Sequence, residues 1–319
     1  MKAAVVGYGV IGKHHVNILS DMGILSAVCD VDTDTLQGLE GVELYSDYIE
    51  MLDSHRPDVV HICTPHYLHA EMIIEALGRD INVLCEKPVC IREEDIPRIL
   101  DAEKRSKAIL GVCHQNRYNS ANRYVKEYLS DKVIQGGVGQ VSWNRGEDYY
   151  SSAAWRGRWD TEGGGVLINQ ALHTLDLMQW FCGMPDSLSA NISNLTLQGK
   201  IEVEDTAVIC AKGNTDFNFY ASNGSPSGMP VEITVKASKK IVKLIGNRAI
   251  IDGAPIDLEA EKGIVASKSC YGFGHAPLFE DFYSCLREGR HFPIDGAEAV
   301  KVIKIILAAY KSNGKIVRL

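Results

Sequence analysis

Nowhere in its 319 residues does this chain hold about 18 consecutive apolar residues, the length that crosses a hydrocarbon core. No membrane-spanning helix is expected. Cys-x-x-Cys pairs are also missing, which argues against a zinc site or a redox dithiol, so no metal is expected. The nine cysteines are scattered, and several sit in apolar runs, as Cys29 and Cys63 do. They read as free thiols packed in a core. Basic residues are outnumbered, 33 Lys and Arg against 41 Asp and Glu, for a net charge of -8. That balance argues against phosphate-backbone binding as the main business, so no nucleic-acid partner is expected. Internal repeats and low-complexity stretches are absent. The first apolar run, Ala3–Val6, meets a glycine loop instead of a cleavage site, so a secretory leader is not expected and the cytoplasm is.

What is there is an ordinary globular composition, 45% hydrophobic and 23% charged, in a chain long enough for two domains. Short continuous apolar runs recur at Ala3–Val6, Leu25–Cys29, Val59–Ile62, Asn82–Cys85 and Ile109–Cys113, as strands buried on both faces must. Amphipathic segments such as Lys13–Met22, Leu68–Arg79 and Glu93–Ser106 separate them. Strand and helix in alternation imply a doubly wound parallel sheet with right-handed crossovers. The pattern changes near Asn119. Gly136-Gly137-Val138-Gly139 reads as a domain-edge loop. Period-two alternation then dominates, with one helix over about 166–181 and a last one over about 296–311. Asn223-Gly224 and Asp252-Gly253 are turn signals. The expected fold class is α/β: a Rossmann domain over 1–118, then an α/β domain over 119–319 with a large open, mostly antiparallel sheet.

The strongest local motif is Gly7-Tyr8-Gly9-Val10-Ile11-Gly12. The first glycine permits a tight turn, the second lets backbone approach a pyrophosphate, and the third lets helix and strand pack closely. The helix N-terminus adds unpaired N–H groups and positive dipole. Gly7, Gly9, Val10, Ile11 and Gly12 are therefore candidate contacts of a dinucleotide. Asp30 ends the second strand 18 residues beyond Gly12, near the spacing of a ribose-binding acid. A carboxylate there would repel a 2′-phosphate, and no Arg follows closely, so NAD is expected over NADP. The plainer reading of Asp30 is a helix cap or loop acid.

Two further groups carry candidate chemistry. Glu86-Lys87-Pro88 follows a strand, and ligands meet the carboxyl ends of strands in such sheets. Lys87, held out of the helical region by Pro88, could move a proton or polarise a substrate oxygen; alone, the tripeptide also suits a surface turn. The second group is Gly163–Asp176. Asn169 and His173 are i,i+4, and Asp176 lies three further on, which places all three on one helical face. A neutral imidazole can take a hydroxyl proton, Asn169 can bond sugar-type hydroxyls, and Asp176 could orient His173 or bond to backbone. His14, His15, His55 and His291 read as surface residues.

With these residues in hand, the chain resembles the Gfo/Idh/MocA oxidoreductases (glucose–fructose oxidoreductase, inositol dehydrogenase and rhizopine catabolism proteins) along essentially its whole length. The resemblance rests on the Gly7–Gly12 loop, Thr64-Pro65-His66-Tyr67-Leu68-His69, Glu86-Lys87-Pro88, Gln115-Asn116-Arg117-Tyr118, Trp155-Arg156, Gly163–Asp176 and Glu202–Ala207. It implies that Thr64, Pro65 and His69 line the cofactor cleft, that Glu86, Lys87 and Gln115 lie by the nicotinamide, and that Trp155 and Arg156 reach the cofactor from the second domain. Lys87 and His173 match the family's proton-transfer residues, and Tyr118 and His275 match positions near the substrate, with Tyr271 a weaker candidate. Many members carry Asp where this chain has Asn169. The resemblance further implies a sugar or polyol substrate and a homodimer or homotetramer formed through the second sheet. Two rival readings follow it: a dinucleotide sensor without turnover, and an NAD-dependent glycoside hydrolase.

Overall fold

The computed structural model describes residues 1–258 and 274–319. The chain divides into two compact units. One takes Met1–Cys90, Glu94–His114 and 274–300; the other takes Ile91–Glu93, 115–258 and Lys301–Leu319.

The first unit holds β1 (Ala3–Val6), β2 (Leu25–Cys29), β3 (Glu43–Tyr45), β4 (Val59–Ile62), β5 (Asn82–Cys85) and β6 (Leu110–Val112). Their order is β3-β2-β1-β4-β5-β6 and every pairing is parallel. β1 and β4 are buried along their full lengths, which is why they read as unbroken apolar runs rather than alternating ones. α1 (Val10–Asp21), α2 (Tyr48–Ser54), α3 (His69–Leu77) and α4 (Asp95–Arg105) make the crossovers. Strand order reverses beside β1, the place where open α/β sheets bind ligands.

The second unit holds α5 (Ser120–Leu129), β7 (Ile134–Ser142), α6 (Glu147–Ser151), α7 (Leu172–Cys182), β8 (Ser187–Ser193), β9 (Thr206–Lys212), β10 (Phe217–Ser222), β11 (Glu232–Ala237), β12 (Lys240–Ile245), β13 (Arg248–Ile251) and β14 (Ala254–Pro255). With β15 (Val317–Arg318) they form a nine-stranded sheet in which β7 and β10 pair in parallel and all other neighbours are antiparallel. The Asp252-Gly253 signal joins β13 to β14, with φ of 48° and 84°, the signs a type I′ hairpin needs.

Gly136–Gly139 is not a loop but part of β7. A Cβ on Gly139 would lie 2.9 Å from Met178 Cγ on α7, so these glycines are where the helix beds into the sheet. α8 (His275–Glu288) belongs to the first unit. Its Phe282 covers Gly111 of β6, where a Cβ would stand 2.8 Å from the ring. α9 (Gly296–Ser312) closes the helical part of the chain.

Candidate cofactor and catalytic site

The glycine loop joins β1 to α1. Gly7 has φ of 91°, and a Cβ there would lie 2.8 Å from the Cys63 backbone at the end of β4. At Gly12 a Cβ would fall 1.8 Å from the Gly7 carbonyl oxygen. Gly9, the residue before α1, has nothing within 4 Å of its Cβ position. The first and third glycines are thus required by the protein's own packing. The second leaves backbone open for a ligand at the helix N-terminus, where Val10 and Ile11 begin α1. Asp30, just past β2, accepts from Tyr8 N at 2.6 Å and from Asp32 N at 2.9 Å. It braces the loop, and each carboxylate oxygen keeps further acceptor capacity for hydroxyls.

Thr64, Pro65 and His69 follow β4. His69 is buried, and its ring nitrogens meet the Thr64 carbonyl at 2.8 Å and the Pro88 carbonyl at 2.7 Å. It therefore ties the turn after β4 to the turn after β5. Burial lowers its pKa, against the pull of those two carbonyls.

Glu86 and Lys87 follow β5, and the Lys87–Pro88 peptide is cis. Glu86 is 4% exposed. Its Oε1 lies 3.1 Å from His15 Nε2 and 3.0 Å from His275 Nε2, and its Oε2 accepts from Lys87 N at 3.2 Å. His15 Nδ1 lies 3.0 Å from His61 Nδ1, and His61 Nε2 lies 2.8 Å from Tyr283 Oη. With Glu86 ionised and the phenol protonated, one arrangement satisfies the chain: Tyr283 donates to His61, His61 to His15, and His15 and His275 to Glu86. Burial pushes the Glu86 pKa up, but hydrogen bonds from His15 and His275 hold it well below the usual carboxylate range. Burial lowers His15 and His61, keeping them neutral. These three donor atoms, from His15, Glu86 and His275, lie within 4.8 Å of one another, a set that could also hold a metal ion.

This network corrects the reading of His14 and His15 as surface residues: they are 7% and 0% exposed. The cause is α8, which returns from late in the sequence to set His275 edge-on to His14, 5.0 Å between centroids. The signal was available, since Gly12, His15, Val16 and Leu19 fall on one helical face. His275, expected near the substrate, is buried beside Glu86.

In the second unit, Asn169 is not on α7. The helix begins at Leu172, and 166–170 form turns. The reason is Glu204, 2% exposed, whose carboxylate accepts from Gly165 N at 2.8 Å, Leu167 N at 3.0 Å and Tyr310 Oη at 3.1 Å. Gly165 admits this backbone: a Cβ there would lie 1.9 Å from the Glu204 carbonyl oxygen. Burial raises the Glu204 pKa to about 7, opposed by its backbone donors. Asn169 Nδ2 donates to Glu162, a fully buried acid, and to Tyr149 Oη at 3.1 Å.

His173 sits in the first turn of α7 and is half-buried. Its Nε2 is 3.4 Å from Gln115 Nε2. An amide nitrogen only donates, so this pairing has His173 Nε2 as acceptor, the state in which it can take a proton. Asp176 is engaged by a cation from outside its own helix. It takes a bidentate pair from Arg117, at 2.6 and 2.7 Å, with both side chains buried. That pair pins 115–118, and so Gln115, to α7. Arg123 lies over the Tyr118 ring, 6.0 Å from its centroid. Arg156 lies over the rings of Tyr149 and Trp155, at 4.2 and 5.3 Å. Tyr271 lies outside the described residues.

Sequence reasoning missed Glu162, Glu204, Tyr149 and Tyr310. An acid directly before three glycines was the visible hint of Glu162, and Glu204 stood within the Glu202–Ala207 motif without a role of its own; Tyr149 and Tyr310 carry no local signature.

Residues 1–114 match the model of the oxidoreductase family with an NAD-binding Rossmann fold, and 123–267 match the GFO/IDH/MocA C-terminal domain. The WlbA dehydrogenase of Bordetella pertussis, solved with NADH and UDP-GlcNAcA, superposes with a TM-score of 0.87 at 27% identity, covering 100% of this chain and 98% of that one. Inositol 2-dehydrogenase of Rubrobacter xylanophilus is 28% identical over 56% of this chain and 51% of its own length. The Salmonella typhimurium enzyme of the same name is 27% identical over 56% and 54%. The chain spans about half the length of the curated relatives it matches. Among the described residues no helix is long and apolar enough to cross a membrane.

Proposed function

The chain belongs to the Gfo/Idh/MocA oxidoreductase family, and from that premise we propose that it is an NAD-dependent dehydrogenase that interconverts a secondary hydroxyl and a ketone on a sugar, polyol or sugar derivative. The observation that carries the reading is the Gly7–Gly12 loop. Two of its glycines are packed shut, the third is open at a helix N-terminus, and the loop lies where strand order reverses. When bound, NAD supplies the hydride acceptor at nicotinamide C4. Gly9, Val10 and Ile11 offer backbone to its pyrophosphate, and Asp30 accepts from its ribose hydroxyls while repelling a 2′-phosphate. Thr64, Pro65, His69 and Glu86 border it, and the family resemblance assigns Gln115, Trp155 and Arg156 to the cofactor as well.

His173 takes the hydroxyl proton at Nε2, the atom that already serves as acceptor toward Gln115. Lys87 polarises the substrate oxygen or relays the proton. Asn169, held by Glu162 and Tyr149, orients the sugar with Tyr118 beside it, and His275 acts at one remove by bonding Glu86. An amide at 169 does not raise imidazole basicity as the commoner carboxylate would. Here Asn169 is spent on Glu162 and Tyr149 instead, so the proton step rests on His173 and Lys87.

The test is a screen of polyols, aldoses, inositols, uronates and nucleotide sugars with NAD, following NADH absorbance. On the best substrate, Lys87→Ala and His173→Ala each lower turnover at least ~100-fold, the low end for loss of a general acid or base. Near-normal turnover in both overturns the assignment, and a strong preference for NADPH overturns the role of Asp30. Dinucleotide binding with no turnover on any compound would favour the sensor reading.

A second copy of the chain is the proposed partner. On the nine-stranded sheet Val138, Val208, Tyr220 and Ile241 are exposed, at 52%, 45%, 39% and 37%. Val208 and Tyr220 are cross-strand neighbours, and Tyr220 pairs with Gln140. An exposed sheet face with apolar side chains of this kind suits a two-fold, self-complementary contact. Val208→Glu is expected to dissociate the assembly in sedimentation velocity; a wild-type monomer at micromolar concentration refutes the proposal.

A further inference from the structure

The segment between β7 and the triple glycine carries two guanidiniums that form no ion pair among the described residues. Arg145 lies over the rings of Trp143 and Tyr149, 5.2 and 5.5 Å from their centroids. Arg156 lies over Tyr149 and Trp155. Their hydrogen bonds go to neutral acceptors: Arg145 Nη1 to the Asn144 carbonyl at 3.4 Å, and Arg156 Nη1 to the Tyr149 carbonyl at 3.2 Å and Ser152 Oγ at 3.0 Å. Arg156 Nε is buried with no acceptor. Neither side chain has a carboxylate within 4.0 Å among the described residues.

Of the acids nearby, four are engaged elsewhere, and Asp148 pairs with neither guanidinium. Glu162 accepts from Gly157 N and Asn169, Glu147 pairs with Lys200, and the adjacent Arg158 already takes Asp160 and Glu202. In a chain with eight more acids than bases, two neighbouring cations left on aromatic rings are the exception. A guanidinium so placed is weakly hydrated and presents its fork edge to carboxylate or phosphate. The shared ring also sets the distance to the chemistry, since Tyr149 Oη accepts from Asn169 Nδ2 at 3.1 Å.

We propose that Arg145 and Arg156, seated on Trp143, Tyr149 and Trp155, form the subsite for an acid group on the substrate, so that the preferred sugar carries a carboxylate or a phosphate. This rests on the dehydrogenase reading above and narrows it. The diphosphate of the cofactor is the competing anion, and the family resemblance directs Arg156 to the cofactor. Arg145 is therefore the discriminating residue.

The experiment compares matched pairs at saturating NAD: glucose against glucuronate, and glucose against glucose 6-phosphate. In the wild type, kcat/KM is at least ~10-fold higher for the acid member, and raising ionic strength from about 20 to 200 mM erodes that ratio as screening requires. Arg145→Met lowers the acid-to-neutral ratio at least ~10-fold, and Arg145→Lys, which keeps charge but loses the fork, falls between. An unmoved ratio overturns the proposal, as does a variant that raises KM for NAD instead. A binding arm needs no turnover: Trp143 and Trp155 fluorescence is titrated with glucuronate, inorganic phosphate and glucose. Tighter binding of the two anions, weakened in Arg145→Met, upholds the subsite even if no compound is oxidised, in which case only the dehydrogenase reading fails. Equal binding of anions and glucose sinks the subsite.

Discussion

Gly7, Gly9 and Gly12 do three different jobs. Gly7 adopts a backbone that side chains rarely take, Gly12 lies against the Gly7 carbonyl, and Gly9 alone has open space before it. A methyl at Gly12 would have to move backbone, since its nearest neighbour is a carbonyl oxygen at 1.8 Å. Gly12→Ala is therefore expected to abolish measurable NADH binding by fluorescence and to cost about 1–3 kcal/mol in urea unfolding, the usual penalty of overpacking. Gly9→Ala should fold normally and lose only dinucleotide affinity. If Gly12→Ala binds NADH as the wild type does, the loop is not the pyrophosphate cradle. The three glycines were legible in the sequence because spacing alone specifies a strand, a turn and a helix start. Spacing also assigned the second glycine to the ligand; what it did not show is what closes the first, because that depends on β4 lying behind Gly7.

The elements show the same division. Strand and helix alternation through the first 113 residues was plain, since apolar runs and amphipathic periods are set by neighbours a few positions apart. β7 was misread at Gly136–Gly139 because glycine clusters ordinarily mark turns; here they are a seat for α7, visible only once Met178 is seen above them. The start of α7 was misplaced for a related reason. Helical spacing extends back through Asn169, but Glu204, 37 and 39 residues along the chain, captures the amides of Leu167 and Gly165 and holds that stretch in turns. Asn169 thereby leaves the helical face it was expected to share with His173 and Asp176, which both remain on α7. The three meet different partners: Asn169 on Glu162, His173 by Gln115, and Asp176 on Arg117.

For the whole molecule, the buried histidines set a pH dependence. Burial lowers His14 to about 4 and also lowers His15, His61 and His69. An unfolded histidine takes a proton near its ordinary 6.5, whereas these native ones do not, so acid draws the equilibrium toward the unfolded chain. The loss begins as pH falls through about 6.5 and, for His14, continues to about 4. Glu86, held low in the native state, adds a further loss on going below the usual carboxylate range. Glu204 acts in the opposite sense. Raised to about 7, it binds its proton more readily when folded and so favours the native state as pH falls from 7 toward 4.5. Four histidines against one carboxyl predict a net decline. The thermal midpoint should drop on the order of 5 °C or more from pH 7 to pH 5, given that ~1 kcal/mol moves it by about 2–4 °C at this domain size. A midpoint that holds or rises over that interval would show the histidines to be protonated, or exposed, in the native protein.

By itself the amino-acid sequence determined what short-range physics can: a glycine turn between strand and helix, an acid closing the second strand, runs of apolar residues that must be buried, and the lack of any run of about 18 apolar residues. Only the tertiary structure decided which polar groups meet. Glu86 joins His15 across 71 positions and His275 across 189, and His61 joins Tyr283 across 222. Contacts at such separations leave no periodic trace along the chain, because they exist only after the sheet has formed and α8 has folded back against it.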